Sequence, residues 1–128
     1  MDGLDISKTA IQKAMGKYPH LTFYEGNIIN YKFKKRYKTI IMMQCLWYVL
    51  HKFDETISNI TNQIRTQDHI LFSQAFLKKQ KYGNDIIDGW RGLVKYFDDH
   101  KNYDLIYSKY FQNDMIHNDG IVLVKKIV

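Results

Sequence analysis

The chain has 128 residues, 45% of them hydrophobic and 25% charged, which is enough for one packed domain and excludes disordered and collagen-like readings. Its single cysteine, Cys45, excludes an intramolecular disulfide, and the most apolar stretch, Thr39 to Leu50, is shorter than the about 20 residues a bilayer-crossing helix needs. No secretory segment is visible, so the expectation is a soluble cytoplasmic domain with no membrane partner. The net charge of +6 raises the question of nucleic acid, but of 19 basic residues only Arg36, Arg65 and Arg91 are arginine, the residue that planar bidentate recognition favours. Lys, Ile, Asn and Tyr all have AT-rich codons, and codon usage accounts for the basic balance without a nucleic-acid partner.

Gly3-Leu4-Asp5-Ile6 reads as the tail of a strand, after which Ser7 offers an N-cap to a helix with Ala10, Ile11, Ala14 and Met15 on one face. That helix stops between Gly16 and Pro19. Leu21 to Glu25 is a short second strand closed by the turn signal Gly26-Asn27. A lysine-rich connection over 30–38 leads into Thr39-Ile40-Ile41-Met42-Met43, a continuous apolar run of the kind expected of a buried parallel strand. Phe53, Ile57, Ile60 and Ile64 then mark one face of a helix. His69 to Ser73 is the next strand, and Ile86, Ile87, Trp90, Leu93, Val94 and Phe97 lie on a further helical face. Tyr103 to Tyr110 and Ile121 to Ile127 close the chain as strands, joined by a polar turn from Asn113 to Gly120. The polar runs Asp98-Asp99-His100 and Asp114 to Asp119 read as a helix end and part of that turn.

Strands alternating with helices and ending in a hairpin predict a single domain over 1–128: a mostly parallel α/β sheet with one antiparallel strand near its edge. In such open sheets ligands sit beyond the carboxyl ends of the strands. The chemistry is therefore sought at Asp5-Ile6-Ser7, Gly26-Asn27-Ile28, Met43 to Tyr48 and Gln74 to Tyr82.

The segments at those ends, in their order and spacing, resemble class I S-adenosylmethionine-dependent methyltransferases over nearly the whole chain. Gly3 to Ser7 with Ala10, Ile11 and Ala14 resembles the family's second strand and the helix after it; Leu21 to Ile28 resembles its third strand, and Tyr37 to Leu50 its fourth strand and the segment that follows. The terminal hairpin is similar to the family's reversed last strand. The resemblance implies a Rossmann-like sheet with helices on both faces, a C-terminal antiparallel strand, and S-adenosylmethionine as cofactor. It also implies roles. Asp5 would accept hydrogen bonds from the ribose hydroxyls, Ile6 would lie against the adenine, and Asn27 and Ile28 would hold the adenine amine and ring face. The family usually has Asp where Asn27 stands; an amide oxygen still accepts from an exocyclic amine. From the residues alone, Asp5 reads equally as a second cap on the helix and Gly26-Asn27 as a plain turn.

The methyltransferase-like domain is N-terminally incomplete in this resemblance. The family's glycine-rich turn follows its first strand, which lies in mid-sheet between strands two and four, and only Met1-Asp2 precedes Gly3 here. Truncation, a strand supplied by another chain, and closure of the sheet across the missing position are the three accounts. Unpaired central edges are association-prone, so the isolated chain is expected to be oligomeric or strand-swapped. Before the fifth strand, Arg65-Thr66-Gln67-Asp68 replaces the family's Leu-Lys-Pro-Gly-Gly type of turn.

Methyl transfer needs an acceptor aligned with a sulfonium methyl and sometimes deprotonated. By position, Gln44 belongs with the cofactor, and Trp47, Tyr48 and His51 with the acceptor. Tyr48 would orient the acceptor and His51 would act as base, while packing for the apolar residues here and a solvated or capping role for His51 are the plainer readings. Gln74, Tyr82, Asn84 and Asp85 occupy the place where family members build acceptor specificity, and Leu77 to Gly83 reads either as a lysine-bearing lid or as a surface loop. The five histidines show no ligand spacing, so no metal is expected, and Cys45 reads as packed. The function implied is methyl transfer to a small-molecule acceptor such as a sugar or natural product. The alternative is a non-catalytic scaffold of the same fold that has lost cofactor binding.

Overall fold

The computed structural model describes residues 1–112 and 116–128. In chain order the elements are β1 Asp2–Asp5, α1 Lys8–Lys17, β2 Thr22–Glu25, β3 Thr39–Met43, α2 Leu46–Val49, one 3-10 turn Leu50–Lys52, α3 Phe53–Thr61, β4 His69–Leu77, α4 Gly89–Asp98, β5 Tyr103–Phe111 and β6 His117–Lys126. The order matches the alternation read from the sequence. Several boundaries differ: α3 ends at Thr61, so Ile64 lies beyond it though still buried, and three other elements shift further. β4 runs on to Leu77 because Gln74, Ala75 and Phe76 keep its in–out alternation and find partners on β6. β6 in turn begins at His117, since Asn118, Asp119 and Gly120 pair with Phe76, Ala75 and Gln74. The turns expected over Asn113–Gly120 and Asp114–Asp119 therefore lose their later residues to the strand, and 113–115 lie outside the described residues. α4 starts at Gly89, so Ile86 and Ile87 belong to the preceding turn, although Ile87 is still buried.

β1 and β2 form one parallel pair, and β3, β4, β6 and β5 form a four-stranded sheet in that order. β3 runs parallel to β4, and β6 lies antiparallel to both β4 and β5. The core lies on one face of the larger sheet. Alternation along β4 turns Ile70, Phe72 and Phe76 to the helices, where they meet Phe53, Ile57 and Ile60 of α3 and Leu93 and Phe97 of α4. Each such side chain contributes roughly 1.5–3 kcal/mol on burial. The polar turn before β4 is closed by its own hydrogen bonds. The Gln67 N–H donates to Lys126 O and the Lys126 N–H to Asp68 O, and the Asp68 carboxylate accepts from the Arg65 N–H at 2.8 Å and from Arg36 Nη2 at 2.8 Å.

β1 and β3 share no ladder, so the sheet has not closed across the position between them. The β1–α1–β2 unit is joined to the rest by other means. Ile28, Ile29 and Phe33 pack against the main core, whereas the one buried residue of α1, Ile11, lies outside that cluster. Asp2 at the start of β1 accepts from Tyr37 Oη at 2.5 Å and pairs with Lys35 Nζ at 2.8 Å. On α3, Asn59 Nδ2 donates to the carbonyls of Ile28 and Tyr31, both at 3.0 Å, and Gln63 Oε1 accepts from the Phe33 N–H at 2.7 Å. β3 also differs from the fully buried strand its apolar run implied. Only Met42 is buried, while Ile41 is 51% and Met43 65% exposed, since among the described residues the core helices cover only the opposite face of the strand.

Two predictions follow from these ties. Asn59→Leu removes the donor from two carbonyls while keeping the volume, and urea unfolding should show a loss of about 2–3 kcal/mol; an unchanged midpoint would contradict the bridging role. Burial alone would raise the Asp68 carboxyl, but the Arg65 N–H and the Arg36 guanidinium outweigh it and hold the group below its ordinary value. Its contribution is therefore complete above the unfolded carboxylate range near pH 4 and fades as pH falls through the lower folded value. Asp68→Asn should be destabilising at pH 7, with the difference from wild type shrinking below about pH 4 in pH-dependent unfolding.

Candidate functional site

The C-terminal ends of β1 and β2 bring Asp5, Ile6, Gly26 and Asn27 together. Register places Asp5 opposite Glu25, and the Gly26 N–H donates to the Asp5 carbonyl at 2.9 Å. Ser7 caps α1 by accepting from the Ala10 N–H. Asp5 Oδ1 accepts from the Ser7 N–H at 2.7 Å, so the capping reading of Asp5 holds for one oxygen, and among the described residues nothing engages Oδ2. Asp5 is exposed and Ile6 beside it is 68% exposed. Asn27 makes a similar local turn: its Oδ1 accepts from the Ile29 N–H at 3.0 Å, and its carbonyl accepts from Asn30 and Tyr31. Its Nδ2 carries no bond within the described residues. Ile28 is half-buried, with its carbonyl held by Asn59.

At the end of β3 the chain turns sharply at Gln44, whose φ of 53° is left-handed. Its side chain folds back on β4: Oε1 accepts from the Ala75 N–H at 2.9 Å and from Gln74 Nε2 at 3.2 Å. Gln74 is buried, and its Oε1 accepts from the Leu46 N–H at 3.1 Å, fixing the start of α2. Trp47 Nε1 donates to the Ala75 carbonyl, and its indole meets Phe76 edge-on. Gln44, Gln74 and Trp47 thus lock the segment after β3 to β4. Tyr48, 79% exposed, and His51, also exposed, stand three residues apart on the helical segment that this lock positions.

The stretch from Leu77 to Gly83 is tied at its middle. Gln80 Nε2 donates to the carbonyls of Tyr82 and Ile87, and its Oε1 accepts from the Gly89 N–H. Gly83, with φ of 66°, lies so close to Leu50 that a Cβ there would sit 2.1 Å from Leu50 Cδ2. Tyr82, Asn84 and Asp85 point outward from this anchored loop. A separate cleft of about 540 Å³ lies between α3 and α4, lined by Asp54, Ser58, Thr61, Tyr96, Asp99 and His100. None of the residues that the sequence singles out for cofactor or acceptor lines it. Among the described residues no group of His, Cys, Asp and Glu could hold a metal ion, and no helix is long and apolar enough to cross a membrane.

The residues missing from the sequence reading are Asn59, Gln63 and Asp2. Each acts across 28 or more residues of chain, and no local pattern announces such a partnership.

No protein-family model matches the chain, and no curated protein matches it in sequence. Solved structures do. The N-methyltransferase NodS from Bradyrhizobium japonicum WM9 superposes with a TM-score of 0.79 at 13% identity, over 99% of this chain and 73% of that one. The same enzyme in complex with S-adenosyl-L-homocysteine matches at 0.78 and 11%, over 98% of this chain and 65% of that one. The cyclase SpnF matches at 0.79 and 10%, over 99% of this chain and 66% of that one. This chain has the class I S-adenosylmethionine-dependent methyltransferase fold, and it spans about two thirds to three quarters of the length of these structures.

Burial pushes the Cys45 thiol up to about 11, the Asp5 carboxylate adding to the rise. The group is therefore a packed thiol rather than a nucleophile. Labelling of native Cys45 by a disulfide reagent at pH 8 should run at least about a hundredfold slower than in urea-unfolded protein, which follows from the thiolate fraction. Equal rates would contradict this.

Proposed function

We propose that the chain carries S-adenosylmethionine-dependent methyl transfer to a small-molecule acceptor such as a sugar or natural product. The observation that carries the reading is the open Oδ2 of Asp5 at the end of β1, beside Ile6 and next to the Asn27 turn. A carboxylate with one oxygen spent on a helix cap and the other free suits a ribose diol, because charge-assisted hydrogen bonds to two hydroxyls fix its orientation. Ile6 and the accessible part of Ile28 supply apolar surface for a purine, and Asn27 Nδ2 and its remaining oxygen lone pair meet a ring edge. The nucleoside end of the cofactor fits these residues. When bound, the cofactor supplies an activated methyl group.

The remaining residues have positional work. Gln44 belongs to the same strand end through its turn and its hold on β4, which sets where α2 begins. In this reading the exposed Tyr48 orients an acceptor hydroxyl or amine and the exposed His51 takes its proton. The acceptor is a small molecule in a reducing cytoplasm, with no membrane and no nucleic-acid partner in this reading. That the cyclase SpnF shares the fold favours a second reading, a protein of this fold put to a use other than methyl transfer.

Calorimetric titration with S-adenosylhomocysteine tests the reading without the acceptor. Binding should weaken about 10- to 100-fold in Asp5→Ala, the range expected for charge-assisted hydrogen bonds. A folded chain that shows no binding, or equal binding in Asp5→Ala, would favour the scaffold reading.

A further inference from the structure

We propose that the free edge of β5 is a self-association surface, on which a second copy of this chain lays its own β5 antiparallel and joins the two four-stranded sheets into one. The inference goes beyond methyl transfer and does not rest on it.

β5 ends the sheet order β3-β4-β6-β5, so among the described residues no strand pairs with its outer side. Hydrogen-bond phase fixes which groups that side offers. In an antiparallel ladder, opposite residues alternate between exchanging backbone bonds and turning both groups away. The Ile127 N–H donates to Asn102 O at 2.9 Å, which turns Asn102 and then Asp104 toward β6, and Tyr103 and Leu105 away from it. Tyr103 agrees, since its N–H is spent on the His100 carbonyl at 3.0 Å. Lys126 exchanges bonds with Gln67 and Asp68 ahead of β4, so the even residues of β6 face β4 and the odd ones face β5. Leu123, Ile121 and Asp119 therefore hold Tyr107, Lys109 and Phe111, and Ser108 and Tyr110 turn outward. The edge thus offers both backbone groups of Leu105, Ser108 and Tyr110 and the C=O of Tyr103.

The strand is complementary to itself in phase and in face. A twofold axis between Ile106 and Tyr107 sets Leu105 against Ser108 and Tyr103 against Tyr110 of the second copy. All four turn their groups outward, so the N–H groups of Leu105, Ser108 and Tyr110 each meet a carbonyl. Leu105 and Ser108 lie opposite Val124 and Val122, which are buried on the helix-covered face, while Asp104, Tyr107 and Lys109 lie on the other face. Asp104 and Lys109 are an odd number of residues apart, and they share a face because the ladder shifts at Ile106, the extra residue between Leu105 and Tyr107.

Charge selects the occupant. The same axis sets Asp104 of each copy against Lys109 of the other, at a pair that exchanges no backbone bonds and so brings its side chains closest. Both residues are exposed, and among the described residues neither is in an ion pair. Lys109 faces Ile121 within its own sheet, and its ammonium rides 4.9 Å from the centre of the Phe111 ring. Moving the axis to Asp104 or to Lys109 keeps the hydrogen-bond phase but opposes like charges, which disfavours both registers. A bulge and a lysine usually blunt an edge against pairing; on β5 both fall where the twofold register uses them. Ile106 and Tyr107, 47% and 49% exposed, meet their copies at the axis. β5 is the edge opposite β3, so this pairing leaves the segment of Gln44, Tyr48 and His51 uncovered.

Sedimentation equilibrium of the full chain, from about 1 to 500 μM, tests the proposal. The expected result is a reversible monomer–dimer equilibrium. Lys109→Asp and Asp104→Lys should each raise the dimer dissociation constant at least about tenfold, and the double variant Asp104→Lys/Lys109→Asp, which restores opposite charges, should return it to within about threefold of wild type. Ser108→Pro removes an outward N–H that β6 does not use, a place where an edge strand tolerates proline, and should weaken the dimer as much. Amide protection at Phe72 and Val122 equal to wild type reports that each variant is folded. A chain that stays monomeric throughout the range would overturn the proposal. So would a dimer unmoved by the single variants, since the copies would then meet on another surface, or a double variant as weak as either single one.

Discussion

The Asp2 carboxylate, held by the Tyr37 hydroxyl and the Lys35 ammonium, stands where two sheets meet without a ladder. Lys35 and Tyr37 together keep its carboxyl below the ordinary range, and burial and the bond to Asp2 push the Tyr37 hydroxyl up. Backbone hydrogen bonds would normally fix the spacing of neighbouring parallel strands. Between β1 and β3 that spacing is instead set by side chains, by this brace at the start of the strands and by Asn59 and Gln63 holding the chain after β2. The arrangement joins the two sheets without a shared ladder.

The candidate site depends on that brace. Asp5, Ile6 and Asn27 sit on the smaller sheet, whereas Gln44, Tyr48 and His51 sit on the larger one. Within each group the positioning is local and well determined: Asp5 by the Ser7 N–H, Asn27 by its own turn, and the segment after β3 by Gln44, Gln74 and Trp47 bonded to β4. Bringing a nucleoside held by the first group to an acceptor held by the second requires the relative placement that the Asp2 brace supplies.

Elements with a strong period were legible in the sequence. Phe53, Ile57 and Ile60 announced α3, and the alternation of β4 continues the run that begins at His69. The burial of β3 was not legible, because an apolar run reports what a strand can pack against and carries no information on whether a neighbour is there. Ile41 and Met43 show the difference. Gln44 and Gln74 were read from position as groups facing a ligand, and a glutamine has no local signal that separates that role from tying two strands together. Asp68 was legible only as part of a polar turn; its partnership with Arg36 spans 32 residues and is a product of the fold.

The claim on which the rest stands is that β1 and β3 share no ladder and are joined through the Asp2 carboxylate instead. Nuclear Overhauser contacts in the isolated chain test it directly. The account predicts contacts between the Tyr37 ring and the Asp2 methylene, together with no backbone amide-to-α contacts between Leu4 and either Ile41 or Met43. Backbone contacts between those strands would mean that the sheet closes directly, and would contradict it.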